Sequence, residues 1–155
     1  MKKRVIAVSI AGIIVVLDQI TKFLVSQDRP NFQIISGFFN IHYVENTGAA
    51  FGILQDKQVL LTIVSVLAMG VLLFLIFSAR EEQHGLLAAL AFILGGTCGN
   101  LIDRVRLGYV VDFLQFHVKQ YYWPSFNVAD SAITIGVGLL ILTTFRQESK
   151  SIVGT

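Results

Sequence analysis

Four stretches of about 20 residues, each poor in charge, dominate this chain: Val5–Val25, then about 59–78, 86–103 and 128–145. A helix of that length crosses the roughly 30 Å hydrocarbon layer of a bilayer. It also satisfies its own backbone N–H and C=O groups, which lipid cannot do. The expected fold is an all-α membrane protein with four transmembrane helices, forming one domain over residues 1–155. Composition agrees, with 54% hydrophobic and 14% charged residues, where a soluble domain carries about 25% charged residues. Mean hydropathy is +0.70, which excludes a disordered chain. Cys98 is the single cysteine, which excludes a disulfide scaffold. A net charge of +2 leaves no basic surface for a polyanion, so no nucleic-acid partner is expected.

The start, Met1-Lys2-Lys3-Arg4 before an apolar run, has the look of a secretory leader. Asp18 and Lys22 follow without a small-residue cleavage pattern, and apolar character resumes at Phe23-Leu24-Val25, so a retained first span is expected. With the N-terminus inside, Lys2, Lys3, Arg4, Arg80, Arg146 and Lys150 fall inside; Lys22, Arg29, Lys57, Arg104, Arg106 and Lys119 fall outside. That is a tie. The inside segments are short, however, and a basic cluster precedes the first span, so both termini are assigned to the cytoplasm. The long outer loops, about 26–58 and 104–127, carry strand signals. Phe39-Asn40-Ile41-His42-Tyr43 alternates, Asn46-Thr47-Gly48 reads as a turn, and Gly108 to Val118 is rich in β-favouring residues. A small β-rich extracytoplasmic cap is expected, with Tyr121, Tyr122, Trp123 and Phe126 as interfacial aromatics.

Ionisable groups within spans are costly and mark functional sites. Asp18 and Lys22 lie late in the first span; Asn100, Asp103 and Arg104 end the third; Asn127 and Asp130 begin the fourth. Alternating topology puts all of them at one depth, whichever way the chain is oriented. Asn46 and Asp112 lie in the two loops on that side. Gly96, Asn100 and Asp103/Arg104 recur at i, i+4 and i+7/i+8 and so share a helical face. Asp18 with Lys22 (i, i+4) and Asn127 with Asp130 (i, i+3) each sit on one face too. Lipid offers these groups no partners, so they turn inward and build one polar pocket.

Several readings of these residues compete. Gly95-x-x-x-Gly99 is a close-packing motif as readily as a site. Asp18 and Lys22 form a structural pair at a helix end as readily as a catalytic one. Cys98 reads as a small packing residue. His42, His84 and His117 are scattered over loops on both sides, so no metal and no other cofactor is expected. No serine mechanism is favoured, because Lys22 has a nearer acidic partner than Ser125 or Ser131. Asp112 and Asp130 remain, one leading a mobile loop strand and one starting a helix. Two carboxyls sharing a low-dielectric site share a proton, and one can activate water while the other protonates a scissile carbonyl. Spacing alone leaves that dyad open against loop-to-helix tethering or an ion site. A small transporter or channel subunit using Asp and Asn as an ion relay is the rival function. It would stagger its acids through the membrane, however, and these share one level.

Five segments in order resemble the lipoprotein signal peptidases (signal peptidase II), bacterial inner-membrane aspartic peptidases: Asp18-Gln-Ile-Thr-Lys22, Asn46-Thr-Gly-Ala-Ala-Phe51, Gly95-Gly-Thr-Cys-Gly-Asn100-Leu-Ile-Asp103-Arg104, Val110-Val-Asp112-Phe113 and Trp123-Pro-Ser-Phe-Asn127-Val-Ala-Asp130. The resemblance covers essentially the whole chain. Its one departure is Trp123, where Phe is more usual, and it keeps an aromatic there. The resemblance implies that Asp112 and Asp130 are catalytic and that Asn46, Gly96, Asn100, Arg104 and Asn127 line the substrate site. It implies structural support from Asp18, with Lys22 and Asp103 placed beside it. The implied substrate is a prolipoprotein whose lipobox Cys carries diacylglycerol, cut just before that Cys by a monomer that contacts membrane lipid. The active site would sit near the outer leaflet of the bacterial inner membrane.

Overall fold

The structure, a computed structural model, describes residues 2–49 and 53–153. Ala50 and Phe51, which end the second motif, lie outside the described residues, as do the side chains of Arg146 and Lys150. In chain order the elements are α1 (Lys2–Asp28), β1 (Asn31–Ile35), β2 (Phe39–Asn46), α2 (Gln58–Ser78), α3 (His84–Leu107), β3 (Val110–Val118), β4 (Tyr121–Tyr122) and α4 (Val128–Val153). All four helices are long and apolar enough to cross a membrane. Each contains the apolar run read from the sequence and extends it at one or both ends.

α3 is the centre of the bundle, packing against α1, α2 and α4. Half of its apolar stretch is buried (50%), against 22% or less in the other three, most of whose large apolar side chains face outward. Small residues make that position possible. A methyl group on Gly95 would stand 2.9 Å from the Ala11 carbonyl oxygen of α1, and one on Gly96 would collide with the Ala129 carbonyl oxygen of α4. The closest helix approaches therefore pass through these two glycines. The apolar core, Ala7, Ala11, Leu72, Ile76, Leu87, Leu90 and Leu94 among others, fills the half of the bundle away from the sheet. At that far end Arg4 donates to the Ala79 carbonyl at 2.8 Å, and Lys3 Nζ lies 2.7 Å from His84 Nε2.

The two loops on the opposite side pair into one antiparallel sheet of order β1-β2-β3-β4. Gly108 ends α3 in the left-handed region (φ 80°), reversing the chain into β3. β2 runs along β3 with Ile41 opposite Leu114 and Val44 opposite Asp112, the extra residue between them forming a bulge. β1, wholly exposed, has no counterpart in the sequence reading. Tyr121 and Tyr122, read there as interfacial aromatics, are exposed and also pair with Val118 and His117.

Candidate active site

The site is built where α1 and α3 end, α4 begins and β2 and β3 cross above them. Asp18 and Lys22, one helical turn apart on α1, pair at 2.9 Å. Lys22 Nζ also lies 2.9 Å from Asp103 Oδ2 and donates to Asn100 Oδ1 at 2.9 Å. Asp18, Lys22 and Asp103 are 0%, 3% and 3% exposed, so one ammonium group answers two carboxylates beyond the reach of water. The remaining carboxylate lone pairs are also used. Asp18 Oδ1 accepts from the Ala129 N–H at 2.9 Å, and Asp103 Oδ2 accepts from the Val111 N–H at 3.1 Å. Gln19 Nε2 donates to Asp103 Oδ1 (2.9 Å), to Asp18 Oδ2 (3.2 Å) and to the Gly99 carbonyl (3.2 Å). Gln19 belongs to this cluster and escapes the sequence reading, although it stands beside Asp18 in the first motif.

Asn127 and Asp130 form a reciprocal cap at the start of α4. The Asp130 N–H donates to Asn127 Oδ1 at 2.8 Å, and the Asn127 N–H donates to Asp130 Oδ2 at 3.2 Å. This is the capping-box pattern, which satisfies helix N–H groups that have no partner within the helix. Asp18 supplies the partner for the N–H between them. The same side chains then reach outward. Asn100 Nδ2 donates to Asp130 Oδ1 at 2.7 Å, and Asn127 Nδ2 donates to Asp112 Oδ1 at 2.7 Å. Asn46 Nδ2 donates to the other Asp112 oxygen at 2.9 Å, and its own Oδ1 accepts from the Gly48 N–H at 2.9 Å.

Asp112 and Asp130 are thus joined through a single residue, Asn127, which is fully buried. Asp112 lies on β3, the loop strand expected from sequence, which pairs with β2 and leaves the residue 2% exposed. Burial, and then the charge of Asp130, push the Asp112 carboxyl up from its usual 3.8 to about 7; bonds from Asn46 and Asn127 and the charge of Lys22 work against that rise. A carboxyl in this setting exchanges its proton near neutrality. Among the described residues no three His, Cys, Asp or Glu side chains converge as metal ligands.

Arg104 takes its own course. Neighbours along a helix do not face each other, and Asp103 is saturated by Lys22, Gln19 and Val111. The Arg104 guanidinium instead donates to the Gly48 carbonyl at 3.4 Å, while its buried Nε has no partner among the described residues. Gly96 lies against the α4 backbone. Cys98 Sγ lies 3.4 Å from Met69 Sδ, inside the bundle. The structure therefore brings Asp18, Lys22, Asn46, Asn100, Asp103, Asp112, Asn127 and Asp130 into one bonded network, with Arg104 at its edge.

The family model described as Signal peptidase (SPase) II matches residues 10–146. The chain belongs to the signal peptidase II family. A lipoprotein signal peptidase of Geobacter sulfurreducens is 48% identical over 87% of this chain and 88% of its own length. One of Symbiobacterium thermophilum is 44% identical over 94% and 97%. A solved bacterial membrane enzyme superposes with a TM-score of 0.86 at 33% identity, covering 93% of this chain and 90% of that one. A second gives 0.80 at 34%, covering 89% and 91%. The chain is thus a multi-pass membrane peptidase, and the ion-relay alternative is not favoured.

Proposed function

We propose that Asp112 and Asp130 are the acid–base pair with which this signal peptidase II removes signal peptides from prolipoproteins, cutting before the diacylglyceryl Cys. The observation that carries the reading is the Asn127 bridge: a buried Asp112 carboxyl and a half-buried Asp130 carboxyl, each held by amide donors, meet across one buried residue. In the resting pair one carboxyl is ionised and the other holds a proton. The carboxylate takes a proton from water, whose oxygen attacks the scissile carbonyl carbon, and the protonated partner gives its proton to the carbonyl oxygen. Collapse of the tetrahedral carbon breaks the C–N bond and expels the amine of the lipidated Cys, which takes a proton from one carboxyl while a diol hydroxyl returns its proton to the other, restoring the resting pair. No other group has to change charge, so neutral amides suit the surrounding shell.

Asn46, Asn100 and Asn127 hold the carboxyls in register, while Asp18, Lys22 and Asp103 form the rigid charged base below them. Arg104 completes the substrate-facing surroundings, its guanidinium offering N–H groups to peptide carbonyls, while Gly96, expected to line the substrate site, is buried against the α4 backbone and supports the site by letting α3 and α4 approach. A lipid-bearing substrate arrives sideways from the bilayer, which favours acids at a membrane boundary and a sheet that clamps an extended peptide. Orientation is assigned from the short basic segments, since the raw Lys/Arg count is even on the two sides. Lys2, Lys3, Arg4 and Arg80 gather at the end away from the sheet, so that end is cytoplasmic and the sheet is an extracytoplasmic cap. The protein is a single four-span domain in the inner membrane, acting as a monomer with its site near the outer leaflet.

The test uses purified protein in detergent with a diacylglyceryl-modified peptide. Asp112→Asn and Asp130→Asn should each lose at least about 100-fold in rate while staying folded, since general acid–base terms contribute roughly 10²–10⁴-fold. More than about a hundredth of parental rate in either variant would remove that residue from the pair.

A further inference from the structure

We propose that Gln58, the first residue of α2, is a positioning residue for this cleavage: it fixes the Thr47–Gly48 peptide, and that peptide aims Asn46 at Asp112. The proposal rests on the reading of Asp112 as one of the catalytic acids. Gln58 Nε2 donates to the Thr47 carbonyl at 2.5 Å, reaching back across the loop to the end of β2. The Asp56 N–H donates to the same oxygen at 3.2 Å, and Arg104 holds the next carbonyl, that of Gly48, from the α3 side. The Thr47 C=O and the Gly48 N–H belong to one planar peptide group. Fixing the oxygen therefore fixes the plane in which the N–H points, and bonds to the carbonyl strengthen that N–H as a donor.

The Gly48 N–H is what orients Asn46. A side-chain amide has an accepting and a donating end, and its surroundings decide which way it lies. With Oδ1 claimed by the Gly48 N–H, Nδ2 is left facing Asp112 Oδ2 at 2.9 Å. A flipped amide would set Nδ2 against the Gly48 N–H, donor against donor. The series Gln58, Thr47–Gly48, Asn46, Asp112 thus links the start of α2, which carries no charged residue, to a carboxyl of the site. Lys57, before Gln58, makes no side-chain cap bond, so among the described residues Gln58 supplies the side-chain tie from the start of α2 to the Thr47 carbonyl.

The bland alternative is that Gln58 only closes the loop. Gln58→Met keeps the length and removes the donor; Gln58→Lys keeps a donor at similar reach. Steady-state cleavage of the lipidated peptide is measured from pH 5 to 9, beside thermal unfolding in the same detergent. A weaker bond to ionised Asp112 raises its proton affinity, so Gln58→Met should move the pH optimum upward by a few tenths of a unit. Its kcat should fall by roughly threefold or more with KM little changed, the scale of one hydrogen bond. Gln58→Lys should return both toward the parent. A parental pH profile in Gln58→Met overturns the proposal. So does a loss of thermal stability and rate in Gln58→Met that leaves the profile unmoved and that Gln58→Lys does not rescue. Asp112→Asn run in parallel separates the two readings: its retained activity would defeat the dyad itself, whereas an inactive Asp112→Asn beside an unaltered Gln58→Met defeats only the role of Gln58.

Discussion

Replacing Lys22 by Met tests the charged base of the site. The variant keeps the stem and removes an ammonium group that lies 2.9 Å from both Asp18 and Asp103. Each contact is worth about 6 kcal/mol at an effective dielectric near 20, before the cost of taking the charges out of water. Most of that gain is cancelled in the intact cluster, but deletion of one partner leaves the other charges buried and unanswered. The measured cost of such deletions is about 3–5 kcal/mol. For a chain of this size 1 kcal/mol moves Tm by about 2–4 °C, so Lys22→Met should melt roughly 10 °C below the parent in detergent at pH 7. Added salt should change the difference little, because ions do not reach a group that is 3% exposed. Asp103→Asn introduced into Lys22→Met removes one uncompensated charge and should recover part of the loss. A Lys22→Met protein melting within about 2 °C of the parent would refute the reasoning, since that is less than 1 kcal/mol.

Two further outcomes follow from the geometry. Asp112 binds its proton more tightly when folded, at about 7 against the usual 3.8, so the folded state holds a proton that the unfolded chain releases. That contribution is fully present below about pH 4 and is lost as pH rises through about 7; Tm in detergent should fall across that window, and less steeply in Asp112→Asn. Gly96→Ala should destabilise the bundle, because the new methyl meets the Ala129 carbonyl oxygen, whereas Gly12→Ala meets nothing within 4 Å and should be neutral or slightly stabilising, as helix propensity favours Ala by about 1 kcal/mol. Unfolding scans of both variants decide it: equal melting would mean that the α3–α4 approach yields freely.

Periodicity made part of this legible before any coordinates. Asp18 and Lys22 at i, i+4 form the pair that their spacing suggests, and the run of span ends places Asn100, Asp103, Asn127 and Asp130 at one level. What spacing could not reveal is how one helix is rotated against another. The reach of Lys22 to Asp103, and of Asp18 to the Ala129 N–H, depends on α1 lying close to α3 and α4, and Gly99 permits it: a methyl there would stand 2.5 Å from Asp18 Oδ2. In sequence that glycine is only half of a common motif. Gln19 was obscured for another reason, as an uncharged residue between two better candidates. β1 escaped because Asn31-Phe-Gln-Ile-Ile alternates over only four residues and then breaks, and all five are exposed. Asn127 and Asp130 were visible as a spaced pair at the head of a span read to start at 128, yet their reciprocal cap depends on side-chain orientations that spacing does not reveal.

The reciprocal cap at the head of α4 also bears on how the protein is made. Asn127 and Asp130 arrive with the last helix of the chain, after α1, α3 and both strands beside them have been synthesised. The Lys22–Asp103 pair lies wholly within α1 and α3, so it needs no residue of the last helix. Asp112 and Asn100 wait longer. Without α4, Asp112 lacks the Asn127 amide and Asn100 lacks the Asp130 carboxyl. On the reading of Asp112 and Asp130 as the acid pair, a bundle without α4 lacks both one acid and the Asn127 bridge to the other, so the centre is completed by the last helix.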